Sequence, residues 1–499
     1  MCDEKEKKYG YGFDDVVDTR AQTFFQRYIS NTMGTTAYNE KISGLHLCGS
    51  KILPTGKRDA VFLVSNLENQ SRLYGLACCH SPWACPRCTP RVMSEKGTDI
   101  ACAIDALIKD FNQLAFMVTF TLPHTKRMRA IDSFSILKDT WRLFTRSGNG
   151  TSHLSKEYVV KSEVGDKRRN NNSSYRKTHI SDDTKKGDTV VYQLKSNEPY
   201  GIFRRELGIT HWVKVYEFTY SEENGWHPHI HLLMWVPTHN FGKVLNYKDS
   251  LLQLWWDCAK RAALKHWNKI NPDKAEENKK AVEEYYTDWR KSPKDGHSSV
   301  YFSVDKNGRL IPQKSSFYIT GWSSNHEMTG LSTKCTKKEG HYTPFQLIGM
   351  AMENPEQKDK WMSLFLEYAI ATRGSRRVEF SSHSGIRKII NKLKQTEAYT
   401  LYLKKKAMDK ATKPWKVVCW FTKKQWSKIC WLDWDYDHEI KVTLLKMARA
   451  PDKHKAFDAI YQYLLAFDID IMENGEHPLE KVIENSIFEN KNLEKSAVA

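Results

Sequence analysis

The stretch Gly225-Trp226-His227-Pro228-His229-Ile230-His231-Leu232-Leu233-Met234-Trp235 constrains this chain more than any other. Side chains alternate between the two faces of a β-strand, so His227, His229 and His231 project together while Ile230 and Leu232 enter a core on the other side. Imidazoles two residues apart on a strand can grip one divalent cation, and neutral imidazole suits zinc, manganese or a mixed-ligand magnesium-like site. A lone histidine would read as a core or surface residue; three in so short and apolar a segment read as a metal site. Upstream, Val213-Lys214-Val215-Tyr216-Glu217-Phe218 is a second strand pattern, and the polar turn Ser221-Glu222-Glu223-Asn224-Gly225 makes the pair a hairpin. A carboxylate in such a strand is costly to bury unless paired or metal-bound. A turn centred near Glu223 brings Glu217 to the level of His229 and His231, which makes it the candidate third ligand. A lysine pair on a solvated sheet face is its competing role, and His227 is the competing ligand.

A second metal pattern lies upstream. Of 11 cysteines in 499 residues, Cys78, Cys79, Cys85 and Cys88 crowd together, a clustering that reads as metal binding rather than a disulfide framework. Cys85 and Cys88 form a C-x-x-C knuckle whose thiolates can meet one tetrahedral zinc. Cys48, in Leu47-Cys48-Gly49-Ser50, is a candidate further ligand, and Cys79 competes with Cys78 and His80 for the remaining place. A closed four-ligand site of this kind is structural. A pair of buried free thiols is the plainer alternative.

Around these motifs the chain divides into three regions. Residues 1–105 form an N-terminal zinc-binding region with short strands such as Asp59 to Val64. Residues 106–350 are α+β, with the strand Phe116 to Thr121, a helix over Ile131 to Phe144, and the hairpin. Polar insertions at about 161–195 and 268–299 read as solvated loops or loose helices. Residues 351–499 read as mostly helical, with apolar residues at three- and four-residue spacing over Trp361 to Ile370, Ile386 to Leu403, Ile440 to Ala448 and Phe457 to Phe467. Apolar content of 40% excludes a mainly disordered chain, and a formal charge of +18 favours nucleic acid as partner. No apolar run is long enough for a bilayer and the N-terminus lacks a signal-peptide pattern, so a cytoplasmic protein without a membrane partner is expected.

A cation held with open positions stabilises charge during attack on a phosphodiester, and such chemistry needs a nucleophile. Tyr318, in Ser315-Ser316-Phe317-Tyr318-Ile319-Thr320-Gly321-Trp322, stands beside small residues and is the candidate. Tyr368 sits in an amphipathic helical pattern and reads as packing.

Taken in order, the cysteine segment, the strand Met117-Val118-Thr119-Phe120-Thr121 with Leu122-Pro123-His124, the strand His227-Pro228-His229-Ile230-His231 and a downstream tyrosine resemble the bacterial plasmid rolling-circle replication initiators. These are HUH endonucleases of the single-tyrosine type. The likeness runs from about Cys48 to Arg387 and includes Tyr342-Thr343-Pro344-Phe345-Gln346-Leu347. It implies an antiparallel-sheet HUH endonuclease domain with an N-terminal zinc knuckle and a mostly helical C-terminal region. Structural Zn2+ would be held by Cys48, Cys79, Cys85 and Cys88. A catalytic Mg2+ or Mn2+ would be held by His229 and His231, with Glu217 beside them, and Tyr318 would be the nucleophile. The implied activity is nicking of one strand at an origin, leaving a 5′-phosphotyrosine and a 3′-hydroxyl primer. The implied partners are single-stranded and origin DNA, a host polymerase, and a host helicase, since no G-x-x-x-x-G-K-[ST] phosphate loop is present. Two positions depart from the pattern: Gly321 stands where the family usually has lysine, and Lys314 where some members have glutamate. The terminating group therefore does not follow from the motif, and Glu327 is a placeholder for it. A transposase or mobilisation relaxase shares the same chemistry. The alternatives of another class are a small-molecule zinc hydrolase using His227, His229 and His231, and a non-catalytic zinc-containing DNA-binding protein.

Overall fold

Successive residues of the central strands alternate between two faces, and both faces bury apolar side chains. A computed structural model of the chain describes residues 15–32, 44–45, 47–52, 60–66, 70–145, 157–161, 175–177, 189–194, 199–291, 300–313, 340–381, 385–396, 415–435, 439–475 and 477. Its largest sheet contains β3 (Gln113–Thr121), β7 (Trp212–Ser221), β8 (Gly225–Pro237), β9 (Val300–Phe302), β10 (His341–Tyr342) and β11 (Val378–Phe380). The order is β10-β7-β8-β3-β9, with β11 also on β7, and every pair is antiparallel. On one face Phe116, Val118, Phe120, Tyr216, Phe218, Ile230 and Leu232 are buried. They pack against α3 (Ala130–Thr145), α5 (Lys248–Ile270), α7 (Pro344–Glu353) and α8 (Lys358–Thr372). Burying each large apolar side chain contributes about 1.5–3 kcal/mol before entropy is counted.

The opposite face has its own apolar cover, from two helices. Ala115, Val213, Val215, Leu233 and Trp235 are packed by Met93, Ile100, Ile104 and Leu107 of α2 (Thr89–Phe111) and by Ile386 and Ile390 of α9 (Ile386–Lys394). Two residues further along β7 and β8 the same face carries Glu217, His229 and His231 instead. The strand pleat therefore places the polar cluster beside the end of an apolar cover. The hairpin turn is tied down by its glycine: Gly225 has φ +78°, and a Cβ there would lie 2.8 Å from Lys126 Cα.

A second sheet, in the order β12-β1-β2, joins β1 (Ala60–Ser65) and β2 (Ser71–Tyr74) to β12 (Lys416–Thr422). Phe62 pairs with Trp420 and Leu63 with Cys419. Its core includes Val61, Leu63 and Phe421 with residues of α10 (Lys423–Asp435), α11 (Ile440–Met447) and α12 (Lys453–Leu465). The three expected regions are thus interleaved in space. Helix α2 runs across residue 105, β11 from beyond residue 350 joins the central sheet, and β12 completes a sheet begun near residue 60. The described residues beyond 350 are mostly helical, as expected, and the two short strands among them, β11 and β12, find partners far away in sequence.

The insertions also carry regular structure. In the first, β4 (Glu157–Lys161), β5 (Tyr175–Lys177) and β6 (Thr189–Leu194) pair in the order β4-β6-β5. The second contains α6 (Ala275–Lys291), which buries Val282 and Tyr286 and keeps most other described side chains in solvent. The helix expected from Ile386 ends at Lys394. Among the described residues the other α-helices are α1 (Asp15–Thr32) and α4 (Pro199–Glu206), and no described helix is long and apolar enough to cross a membrane.

Candidate metal centres

Register decides which histidines meet the carboxylate. Across β7 and β8, Glu217 is the direct partner of His229, while His231 faces Val215 and His227 faces Thr219. The ligand atoms of Glu217, His229 and His231 all lie within 4.8 Å of one another. His229 Nε2 is 2.7 Å from Glu217 Oε2, and His231 Nε2 contacts the same oxygen. His227 goes elsewhere: its ring stacks on His124, with centroids 4.3 Å apart and planes 19° from parallel. The three-histidine ligand set of the hydrolase alternative is therefore not the set that converges here.

The chemistry of this cluster favours a cation. Thr119, opposite His231 on β3, brings its Oγ1 to 3.0 Å from His231 Nδ1. With the ring proton on Nδ1 and donated to Thr119, the Nε2 lone pair faces the Glu217 carboxylate. Converging lone pairs of this kind are stable only with a proton or a metal ion between them. Glu217 and His231 are both buried, and His229 Nδ1 is buried without a hydrogen-bond partner among the described residues. Burial alone would push the Glu217 carboxyl up. The charges and hydrogen bonds of His229 and His231 outweigh it and hold the group well below the usual carboxylate range. Two imidazoles and one carboxylate form a mixed nitrogen–oxygen set that fits a divalent cation.

The second centre is built from thiols. One sulfur of each of Cys48, Cys79, Cys85 and Cys88 falls within 4.8 Å of the others. The Sγ atoms of Cys48 and Cys88 are 3.4 Å apart and those of Cys85 and Cys48 3.5 Å. These separations approach the roughly 3.8 Å edge of a tetrahedron with zinc–sulfur bonds of about 2.3 Å. Burial pushes the Cys85 thiol well up. The Cys48 contact pulls Cys88 up, but its contacts with Cys78, Cys79 and Cys85 prevail and bring it down to about 4. The group so formed fits a soft cation. Cys78 lies at its edge, with its thiol 3.7 Å from Leu76 O, and His80 is not a member.

Sequence reasoning missed the supports of both centres. Gln22 of α1 donates to Leu45 O at 2.8 Å and accepts from Cys85 Sγ at 3.6 Å, while Gln26 donates to Cys48 O at 2.9 Å. Two buried glutamines on one helix face were the available signal. Trp83, inside the cysteine segment, donates to Ser375 O at 2.8 Å and packs edge-on against Phe218, the neighbour of Glu217. The knuckle is thereby locked onto the back of the histidine hairpin. Tyr368 is buried, its hydroxyl donates to Trp83 O at 3.1 Å, and burial raises its phenol to about 12. Tyr318, Glu327, Lys314 and Gly321 lie outside the described residues.

No family model matches this chain, and no solved structure matches it. It is similar to a protein of Streptomyces lividans named "Protein rep", with 23% identity over 345 residues covering 65% of this chain. The chain spans 66% of that protein's length.

Proposed function

We propose that this chain is a replication initiator of the HUH class, which nicks one DNA strand at an origin through a tyrosine. The observation that carries the proposal is the convergence of Glu217, His229 and His231 on one face of an antiparallel sheet. The relative named "Protein rep" supports a role in replication, and the charge of +18 suits a polyanionic substrate.

In this reading His229, His231 and Glu217 would hold Mg2+ or Mn2+, which would supply polarisation of the scissile phosphate. Thr119 fixes the His231 tautomer so that Nε2 remains a ligand. The Tyr318 oxygen attacks phosphorus and gives up its proton. The bond from phosphorus to the 3′-oxygen breaks, and that oxygen takes up a proton as the new 3′-hydroxyl. The phosphodiester is conserved as a 5′-phosphotyrosine. A host polymerase extends the 3′ end and a host helicase opens the duplex. The four cysteines would hold Zn2+ in a structural role, bracing the hairpin through Trp83.

The test offers purified protein a labelled single strand from the origin of its replicon, with Mn2+. A covalent protein–DNA adduct is expected on the wild type and absent from Y318F, H229A and H231A. No adduct on the wild type, or an adduct that survives Y318F, overturns the reading.

A further inference from the structure

Away from the histidine hairpin, a groove of about 520 Å3 opens where α11 ends and α12 begins. Lys446, Arg449 and Lys455 line it together with Met447, Pro451 and Ala456, and among the described residues no carboxylate lines it. Arg449 is held in place: its Nε donates to Ser71 Oγ at 3.3 Å, and that buried hydroxyl donates to Leu445 O at 2.6 Å. Two acids adjoin these lining residues in sequence: Asp452 caps α12, accepting the N–H groups of His454 and Lys455 at 2.9 and 3.3 Å, and Asp458 is exposed beside Ala459. Lys453 adds a further cation at the start of α12.

We infer that this groove is a second nucleic-acid surface, separate from the nicking site, and that it takes the phosphate backbone of duplex DNA. Single strands are held by aromatic platforms on which bases stack. Among the described residues this groove has none; its lining is methionine, alanine and proline between cations. Such a surface suits sequence-independent phosphate contacts, which need positioned charge and no stacking. A duplex bound here would hold the protein on its DNA without occupying the histidine hairpin. The inference does not depend on the identity of the nucleophile.

The test is fluorescence anisotropy with the full chain, using a random-sequence duplex of about 30 base pairs and an oligo-dT strand of about the same length across a salt series. The charge reversal K446E/R449E/K455E is expected to weaken duplex binding at least about tenfold near 0.1 M salt and to reduce the log–log salt slope by roughly 2–3. K446E/K455E, which changes only exposed side chains and leaves the Ser71 contact intact, is expected to show most of the same loss. Oligo-dT affinity and adduct formation on a single strand are expected to stay within about twofold of wild type. A control reversal on exposed lysines elsewhere, K269E/K279E/K280E, is expected to leave duplex binding unchanged. Duplex affinity unaltered by either groove variant overturns the inference. So does an equal loss in the control or on oligo-dT. Failure of the wild type to form an adduct would sink the nicking proposal and leave this measurement standing.

Discussion

Glu217 and His229 are direct partners across the β7–β8 hairpin, and a single carboxylate oxygen of Glu217 meets the Nε2 atoms of both His229 and His231. Replacing that carboxylate with the amide of E217Q keeps the shape and removes the charge that balances a cation. Mn2+ affinity is expected to fall at least about 100-fold, since altering even supporting partners of metal ligands costs about 10–100-fold. Titration calorimetry reads the loss, and unchanged affinity would remove Glu217 from the ligand set. In metal-free protein the sign with pH also follows. A carboxyl held below its unfolded value stabilises the fold fully above about pH 4.3, and that contribution fades as pH falls through the depressed value. The stability gap between wild type and E217Q is therefore expected near neutrality and should close in strong acid.

Thr119 acts on the same site through His231. T119V keeps the β-branched shape on β3 but deletes the hydroxyl that orients the ring. A drop of about tenfold in Mn2+ affinity is expected, with the circular dichroism spectrum unchanged. If the affinity stays at the wild-type value, the ring is oriented by packing alone.

The cysteine centre should behave as part of the fold. Purified protein is expected to carry one zinc per chain by elemental analysis, and C85S/C88S none. Loss of the metal should cost at least about 3 kcal/mol in urea unfolding, because binding to a closed structural site adds directly to folding free energy. Full stability in the zinc-free variant would show that Cys48, Cys79, Cys85 and Cys88 are only packed thiols.

Asp433, fully buried, accepts the N–H groups of Ile440 and Lys441 at the start of α11 and lies 3.5 Å from Lys441 Nζ. D433A would strand a buried ammonium and two helix N–H groups, a loss of roughly 3–5 kcal/mol. Urea denaturation checks it, and a cost below about 1 kcal/mol would mean that water reaches Lys441.

Much of the candidate site was legible before any fold was known, because strand alternation is local. His227, His229 and His231 had to share a face wherever that strand went, and Cys85 and Cys88 had to reach a common point. What periodicity cannot supply is register and distant pairing. The turn from Ser221 to Gly225 already brought Glu217 near the level of His229 and His231, but the choice between Glu217 and His227 waited on the exact register, which sets Glu217 opposite His229 and leaves His227 to stack on His124. The pairing of Phe62 with Trp420 had no local signature, because each strand reads as a short apolar run whose partner is hundreds of residues away. Trp83 likewise reads as one more aromatic in a cysteine motif until the fold sets it against Phe218. The sequence by itself determined which side chains bear the chemistry; tertiary packing decided which of them meet, since only the assembled core holds two segments at a fixed offset.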